Sequence, residues 1–249
     1  MYTSFILTTI AGLATLFGTI PIFIKIKDKD KLISISCAFA SGVMICISVV
    51  DLIPESIRYL NNSYDSLYII ILSFIFIVIG IITSYYLDVV VDKINDNNNL
   101  FKVGILAMIV IIIHNIPEGI VTYIVSKNDL ILGISICLSI AIHNIPEGIS
   151  IAIPIYYSTG SKIRAFFFTL ISALSELFGA IITYLFLEKY IGDTFLGLIL
   201  SFTAGIMLCI SLERLRPTAT SYNSKLARIA FIFGIIFMLI SLQLDNLIS

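Results

Sequence analysis

The sequence predicts an all-α, polytopic membrane bundle of eight transmembrane helices with both termini outside the cytoplasm, and three observations carry that prediction. First, 59% of the 249 residues are hydrophobic, 12% are charged and mean hydropathy is +1.07. Soluble domains carry about 25% charged residues, so roughly half that charge points to lipid as the solvent. Second, the apolar runs are continuous rather than alternating. In lipid every backbone group needs an internal partner, and continuous runs satisfy that need as helices, not as a barrel.

Third, the cationic residues alternate along the chain. The apolar runs fall at 4–24, 32–54, 66–88, 101–124, 130–156, 163–187, 192–212 and 227–245, each close to the roughly 20 residues that span a bilayer. Odd-numbered connections hold Lys25, Lys27, Lys29, Lys31, Lys93, Lys102, Lys162, Arg164, Arg214, Arg216, Lys225 and Arg228, whereas even-numbered ones hold only Arg58, Lys127 and Lys189. Positive charge marks the cytoplasmic side, so the odd connections face inward. A misplaced segment would scramble the alternation.

Taken in order, the first run lacks a basic leader and a cleavage site, so it reads as a spanning helix rather than a signal peptide. The second, fifth and seventh contain Cys37 and Cys46, Cys137, and Cys209. None has CxxC spacing, and all read as buried packing residues. The connections are short and polar, so residues 1–249 form one transmembrane domain. The net charge of −1 offers no basic surface for nucleic acid.

The fourth and fifth runs hold the chemistry. His114-Asn115-Ile116-Pro117-Glu118-Gly119 recurs as His143-Asn144-Ile145-Pro146-Glu147-Gly148, and these are the chain's two histidines. Positions i and i+4 share a helix face, so His114 aligns with Glu118 and His143 with Glu147, flanked by Asn115 and Asn144. Two antiparallel helices can then offer two imidazoles, two carboxylates and two amide oxygens around one point. Imidazole suits zinc, iron, nickel and copper, while the oxygen donors extend the set towards manganese. Pro117 and Pro146 remove a backbone donor each and predict two kinked or broken helices at a polar centre. An ionised group at mid-bilayer costs about 2.5–3.5 kcal/mol even on permissive scales, which argues against simple interhelical packing.

Glu176, central in the sixth run, is a third buried carboxylate. Three carboxylates without a cation repel one another, and either a divalent ion or protons relieve that repulsion. Met44 is a candidate soft ligand, although methionine in a spanning helix usually packs. Asp51 and Glu213 close the second and seventh runs as candidate way-stations on a pathway or as interfacial charges, and Asp88 and Asp92 read as interfacial charges.

Together these features resemble the ZIP (Zrt/Irt-like) family of metal transporters, particularly its bacterial ZupT-type branch. The resemblance runs end to end and includes the stretch HNIPEGISIAIPIYYSTGSKIRAFFF over 143–168. It implies uptake of Zn(2+) into the cytoplasm across the cell membrane, by an elevator-like shift between helix groups, in a homodimer. It also implies a binuclear centre. One metal would take His114, Glu118, His143 and Glu147 with Met44 contributing; the other would take Asn115, Glu118, Asn144, Glu147 and Glu176. The connection at 91–100 has no histidine, so metal sensing there is not expected.

Enzymatic alternatives lack their motifs. HExxH is absent, as is the Glu-x-x-His pair of di-iron bundles. A proton-coupled carrier of an organic substrate would need a recognition pocket of arginine or aromatic groups that the motifs do not supply. No cofactor is expected, the metal ions being cargo. The fifth helix reads HNIPEG rather than the HEIPHE of zinc-selective members, which predicts breadth towards Fe(2+), Mn(2+), Co(2+) and Cd(2+). Excess Fe(II), Mn(II) or Co(II) is therefore expected to depress zinc-65 uptake, and unchanged uptake in their presence refutes broad selectivity.

Overall fold

The computed structural model describes residues 2–24, 28–93, 98–187 and 191–248. Lys25, Lys27 and Lys189 of the charge pattern lie outside them. The described residues are helical with short connections, and side-chain caps set the starts of α2, α5, α6 and α7. Helix α1 (Tyr2–Leu13) tightens into a 3-10 coil over Ala14–Phe23 around Pro21. Helix α2 (Lys29–Ile47) opens on Asp28, whose carboxylate accepts from the Lys31 amide at 3.1 Å; that bond and the Lys31 ammonium hold the Asp28 carboxyl below its usual range. A π-turn at Ser48–Leu52 passes the chain into α3 (Ile53–Asn61), with Pro54 in its first turn, where a missing donor costs nothing. Helix α4 covers Ser66–Asp92.

Helix α5 (Asn99–Asn128) is capped by the Asn98 side chain, which accepts from Leu100 and Phe101 amides. Asp129 then caps α6 (Leu130–Thr159) through the Ile131 and Leu132 amides at 2.9 and 3.1 Å, so one residue separates the two helices. Gly160 ends α6 in the left-handed region (φ 67°), where glycine carries no Cβ penalty. Helix α7 (Lys162–Ile182) runs into a π-turn at Thr183–Leu187, α8 (Asp193–Ile210) into another at Ser211–Leu215, and α9 covers Arg216–Ile248.

Among the described residues, seven helical stretches are long and apolar enough to cross a membrane. The last, Asp193–Gln243, has 51 residues, about 76 Å at 1.5 Å per residue, more than twice a hydrocarbon core. It is interrupted at Asn223, which is extended (φ −160°, ψ 100°). There the Asn223 side chain caps the following helix by accepting from the Leu226 amide (3.0 Å), and its freed carbonyl accepts from the Ser34 hydroxyl of α2 (2.9 Å). The sequence reading differs at the prolines. Helices α5 and α6 remain helical through Pro117, Pro146 and Pro154, so neither motif breaks its helix, as membrane helices tolerate where neighbours compensate.

Packing outlines two groups that meet where α2 lies on α6 and α8 on α5. Helices α1, α5, α6 and α7 pack on one another, while α2 pairs with α9 and α4 with α8, with α3 beside α8. The second group contains a repeat. Phe39, Gly42, Met44, Cys46, Ile47, Ser48, Leu52 and Pro54 recur as Phe202, Gly205, Met207, Cys209, Ile210, Ser211, Leu215 and Pro217, and both copies contain a π-turn. The crossings repeat too. A Cβ on Gly42 would strike the Phe231 carbonyl and one on Gly234 the Phe39 carbonyl; Gly205 and Gly80 meet the Ile77 and Phe202 carbonyls in the same way. Hydroxyls complete this group: Ser56 and Ser201 lie 2.5 Å apart, and Ser41 donates to the Ser211 carbonyl at 3.0 Å. At one end, Arg214 pairs with Asp88 (2.6 Å) and Asp92 (2.8 Å), and Lys102 lies 3.8 Å from Asp92.

The backbone contact at these glycines makes them sensitive to one added methyl. Gly42→Ala and Gly205→Ala are each expected to destabilise the detergent-solubilised protein by about 1–3 kcal/mol, the usual cost of overpacking. Gly192→Ala, with open space around it, is the control. Melting temperatures equal to that control would remove the close-approach account.

Candidate metal centre

The helix period and the one-residue α5–α6 connection together bring the two hexapeptides side by side. His114, Glu118 and His143 each offer a ligand atom within 4.8 Å of the others, and all three are buried. Glu118 Oε1 is the shared point: it lies 2.9 Å from His143 Nε2 and 3.0 Å from His114 Nε2. Glu147 joins from α6, its Oε1 3.3 Å from His114 Nε2. The imidazole ring centres stand 6.4 Å apart. Four side chains from two helices thus converge through their Nε2 and carboxylate atoms.

Asn144 and Glu176 form the adjoining part. Asn144 Nδ2 donates to Glu176 Oε2 at 3.0 Å and to the Ala11 carbonyl of α1 at 2.9 Å. Asn115 Nδ2 donates to the Ser172 carbonyl of α7 at 3.3 Å. Each amide is anchored by its nitrogen, which leaves its oxygen free. Among the described residues Asn115 Oδ1, Asn144 Oδ1, Glu118 Oε2, Glu147 Oε2 and Glu176 Oε1 are buried without a hydrogen-bond partner. Buried polar atoms are normally paired, and unpaired oxygens beside two imidazoles are donors of the kind a divalent cation takes.

The glycines of the hexapeptides bring neighbouring backbones to this centre. A Cβ at Gly119 would strike the Glu176 carbonyl, and one at Gly148 the Thr15 carbonyl. Opposite them, a Cβ on Gly12 would come within 3.1 Å of Glu176 Oε2. Helix α1 is therefore a wall of the centre through Ala11 and Gly12. The sequence gives little warning of this, because a backbone carbonyl has no residue signature. Ser172 is likewise a partner that its side chain does not announce.

Met44 is fully buried on α2 within the apolar core, beside Val43 and Ile47. Asp51 lies half-buried in the π-turn after α2. Glu213 is exposed in the π-turn after α8 and lines a cavity of about 490 Å³ with Asn99, Leu100, Arg214 and Tyr222. Neither acid belongs to the group of mutually close ligands formed by His114, Glu118 and His143. Asp88 and Asp92 are occupied by Arg214, in keeping with interfacial charges.

The chain matches the family model described as ZIP Zinc transporter over residues 92–242. It is 36% identical to the zinc transporter ZupT of Streptococcus mutans, with 98% of each chain covered. It is also 36% identical to the ZupT of Clostridium perfringens over 97% of this chain and 95% of the relative, and 34% identical to that of Campylobacter jejuni over 98% and 97%.

The double role of Asn144 gives a test that needs no transport assay. Asn144→Ala strips partners from the Ala11 carbonyl and from Glu176, and is expected to destabilise the purified protein by about 1–3 kcal/mol, the cost of stranding buried polar groups. An unchanged melting temperature in metal-free buffer refutes the tie between α1 and α7.

Proposed function

Because the chain belongs to the ZIP zinc transporter family, a family of multi-pass membrane transporters and not of enzymes, we propose that it takes up divalent transition-metal ions into the cytoplasm through a binuclear centre on α5, α6 and α7. Zinc is the primary cargo, as the relatives' names indicate for those proteins. Fe(2+), Mn(2+), Co(2+) and Cd(2+) follow from the mixed nitrogen and oxygen donors. The observation that carries this reading is the set of unpaired buried oxygens around His114 and His143.

In this reading, Glu118 and Glu147 bridge two ions. His114 and His143 complete one ion's shell, with Met44 contributing, and Asn115, Asn144 and Glu176 complete the other's. An arriving cation replaces whatever protons sit between the Nε2 atoms and Glu118 Oε1, and leaves when protons return. Metal and proton therefore compete for the same lone pairs. Asp51 and Glu213 stand towards the two ends of the route as way-stations.

Orientation follows from charge. Lys102, Lys162, Arg164, Arg214, Arg216, Lys225 and Arg228 lie at helix ends on one side of the alternating chain, which the positive-inside rule makes cytoplasmic. Reading Asp193–Gln243 as two crossings, separated at Asn223, gives eight spans with both termini outside. Membership of the family is the ground for an elevator-like movement of the metal-bearing helices, in a homodimer within the cell membrane.

Removal of one ligand from α6 tests the assignment. His143→Ala and Glu147→Ala are each expected to abolish zinc-65 uptake in cells whose membranes hold as much of the variant as of the parent. Full uptake by both variants refutes the site.

A further inference from the structure

Buried hydroxyls in the α1, α5, α6 and α7 group are of two kinds. Most return a bond to their own helix: Thr8 donates to the Ser4 carbonyl at 2.9 Å, Thr15 to Gly12 at 2.7 Å, Thr169 to Ala165 at 2.9 Å and Thr183 to Gly179 at 2.8 Å. Ser4 Oγ, Tyr123 Oη, Ser172 Oγ, Thr122 Oγ1 and Ser126 Oγ do not, and of these Thr122 and Ser126 share the face of α5 that carries Glu118. Thr122 is fully buried and Ser126 is 5% exposed, and neither hydroxyl has a hydrogen-bond partner among the described residues.

Their position is systematic. They stand one and two turns beyond Glu118, so His114, Glu118, Thr122 and Ser126 form a single stripe along α5. From Glu118 that stripe advances about 12 Å, at 1.5 Å per residue, towards the end at Asn128, which the charge alternation places outside. Gly133 of α6 faces its far end, where an added Cβ would lie 2.6 Å from Ser126 Oγ. In the other direction from His114, the corresponding positions are Ile111, Val110 and Ala107, all apolar and fully buried. The polar stripe therefore continues on one side of the centre only.

A buried hydroxyl without a partner is costly, and one that leaves its own helix carbonyl is available to a ligand. We propose that Thr122 and Ser126 form an outer approach to the metal centre and lend their oxygens to a partly hydrated divalent cation on its way to Glu118. Neutral oxygen donors replace hydration waters without adding charge, so the ion is passed on rather than retained. This inference rests on the transport reading above.

The test uses full-length protein and zinc-65 uptake. Thr122→Val keeps the side-chain shape and removes the hydroxyl; Ser126→Ala does the same at the second position. Each is expected to raise KM about threefold and the pair about tenfold, with Vmax and the zinc stoichiometry of purified protein retained, the pattern of lost binding on the way in. Thr122→Ser is expected to restore the parental KM. Ser126→Cys is expected to react from outside with a membrane-impermeant thiol reagent, more slowly when zinc is present, against a parent whose four cysteines are buried. Parental KM in both hydroxyl-free variants, or no external labelling of Ser126→Cys, overturns the proposal; where a variant fails to reach the membrane, the labelling result decides. Failure of the transport reading itself shows differently, as undiminished uptake by Glu118→Gln.

Discussion

Everything in this bundle answers to the cost of holding Glu118, Glu147 and Glu176 away from water. Each is at most 6% exposed, and burying a carboxylate without compensation costs several kcal/mol. Compensation comes from two sources at once: imidazole nitrogens on the same and the facing helix, and an asparagine amide. The imidazoles must lie within 3.0 Å of a single Glu118 oxygen, which requires α5 and α6 to be fixed in register. The short Asp129 connection does this at one end. At the level of the motifs, glycine brings α1 and α7 into backbone contact.

The second helix group is the frame against which this packing is held. Its two crossings are built alike, each from a pair of glycines that lets a carbonyl of one helix reach the backbone of the other. Because Gly42 and Gly205 sit in the same sequence context, the similarity extends to the π-turns that follow them. One repeat thus carries the ligands and another carries the frame. They differ in purpose: the hexapeptide repeats polar donors, whereas the longer pattern repeats small and sulfur-containing packing residues.

Much of this was legible in the sequence for physical reasons. Continuous apolarity and alternating cations specify helices and their sides. The i, i+4 spacing forces His114 and Glu118 onto a common face, and His143 joins them because one residue separates α5 from α6. Glu176 stood out because a charge in an apolar run is expensive. What was hidden has equally physical causes. The Ala11 carbonyl and Gly12 have no chemical label in a sequence, and the Phe39-to-Pro54 repeat is apolar and merges with its surroundings. The prolines forecast kinked or broken helices, and α5 and α6 run through them unbroken. Asn223 falls inside the connection expected between residues 212 and 227, and interrupts the helix there by capping the next turn with its own side chain.

The anchoring of Asn144 reaches beyond packing. Both hydrogens of its amide are committed, one to α1 and one to Glu176, so the group cannot rotate to present an N–H to the interior. The face left over is acceptor only, and the carboxylates beside it are the same when ionised. One fixed amide thereby holds an acceptor oxygen beside the carboxylates, where a freely rotating one would present hydrogens as often as oxygen.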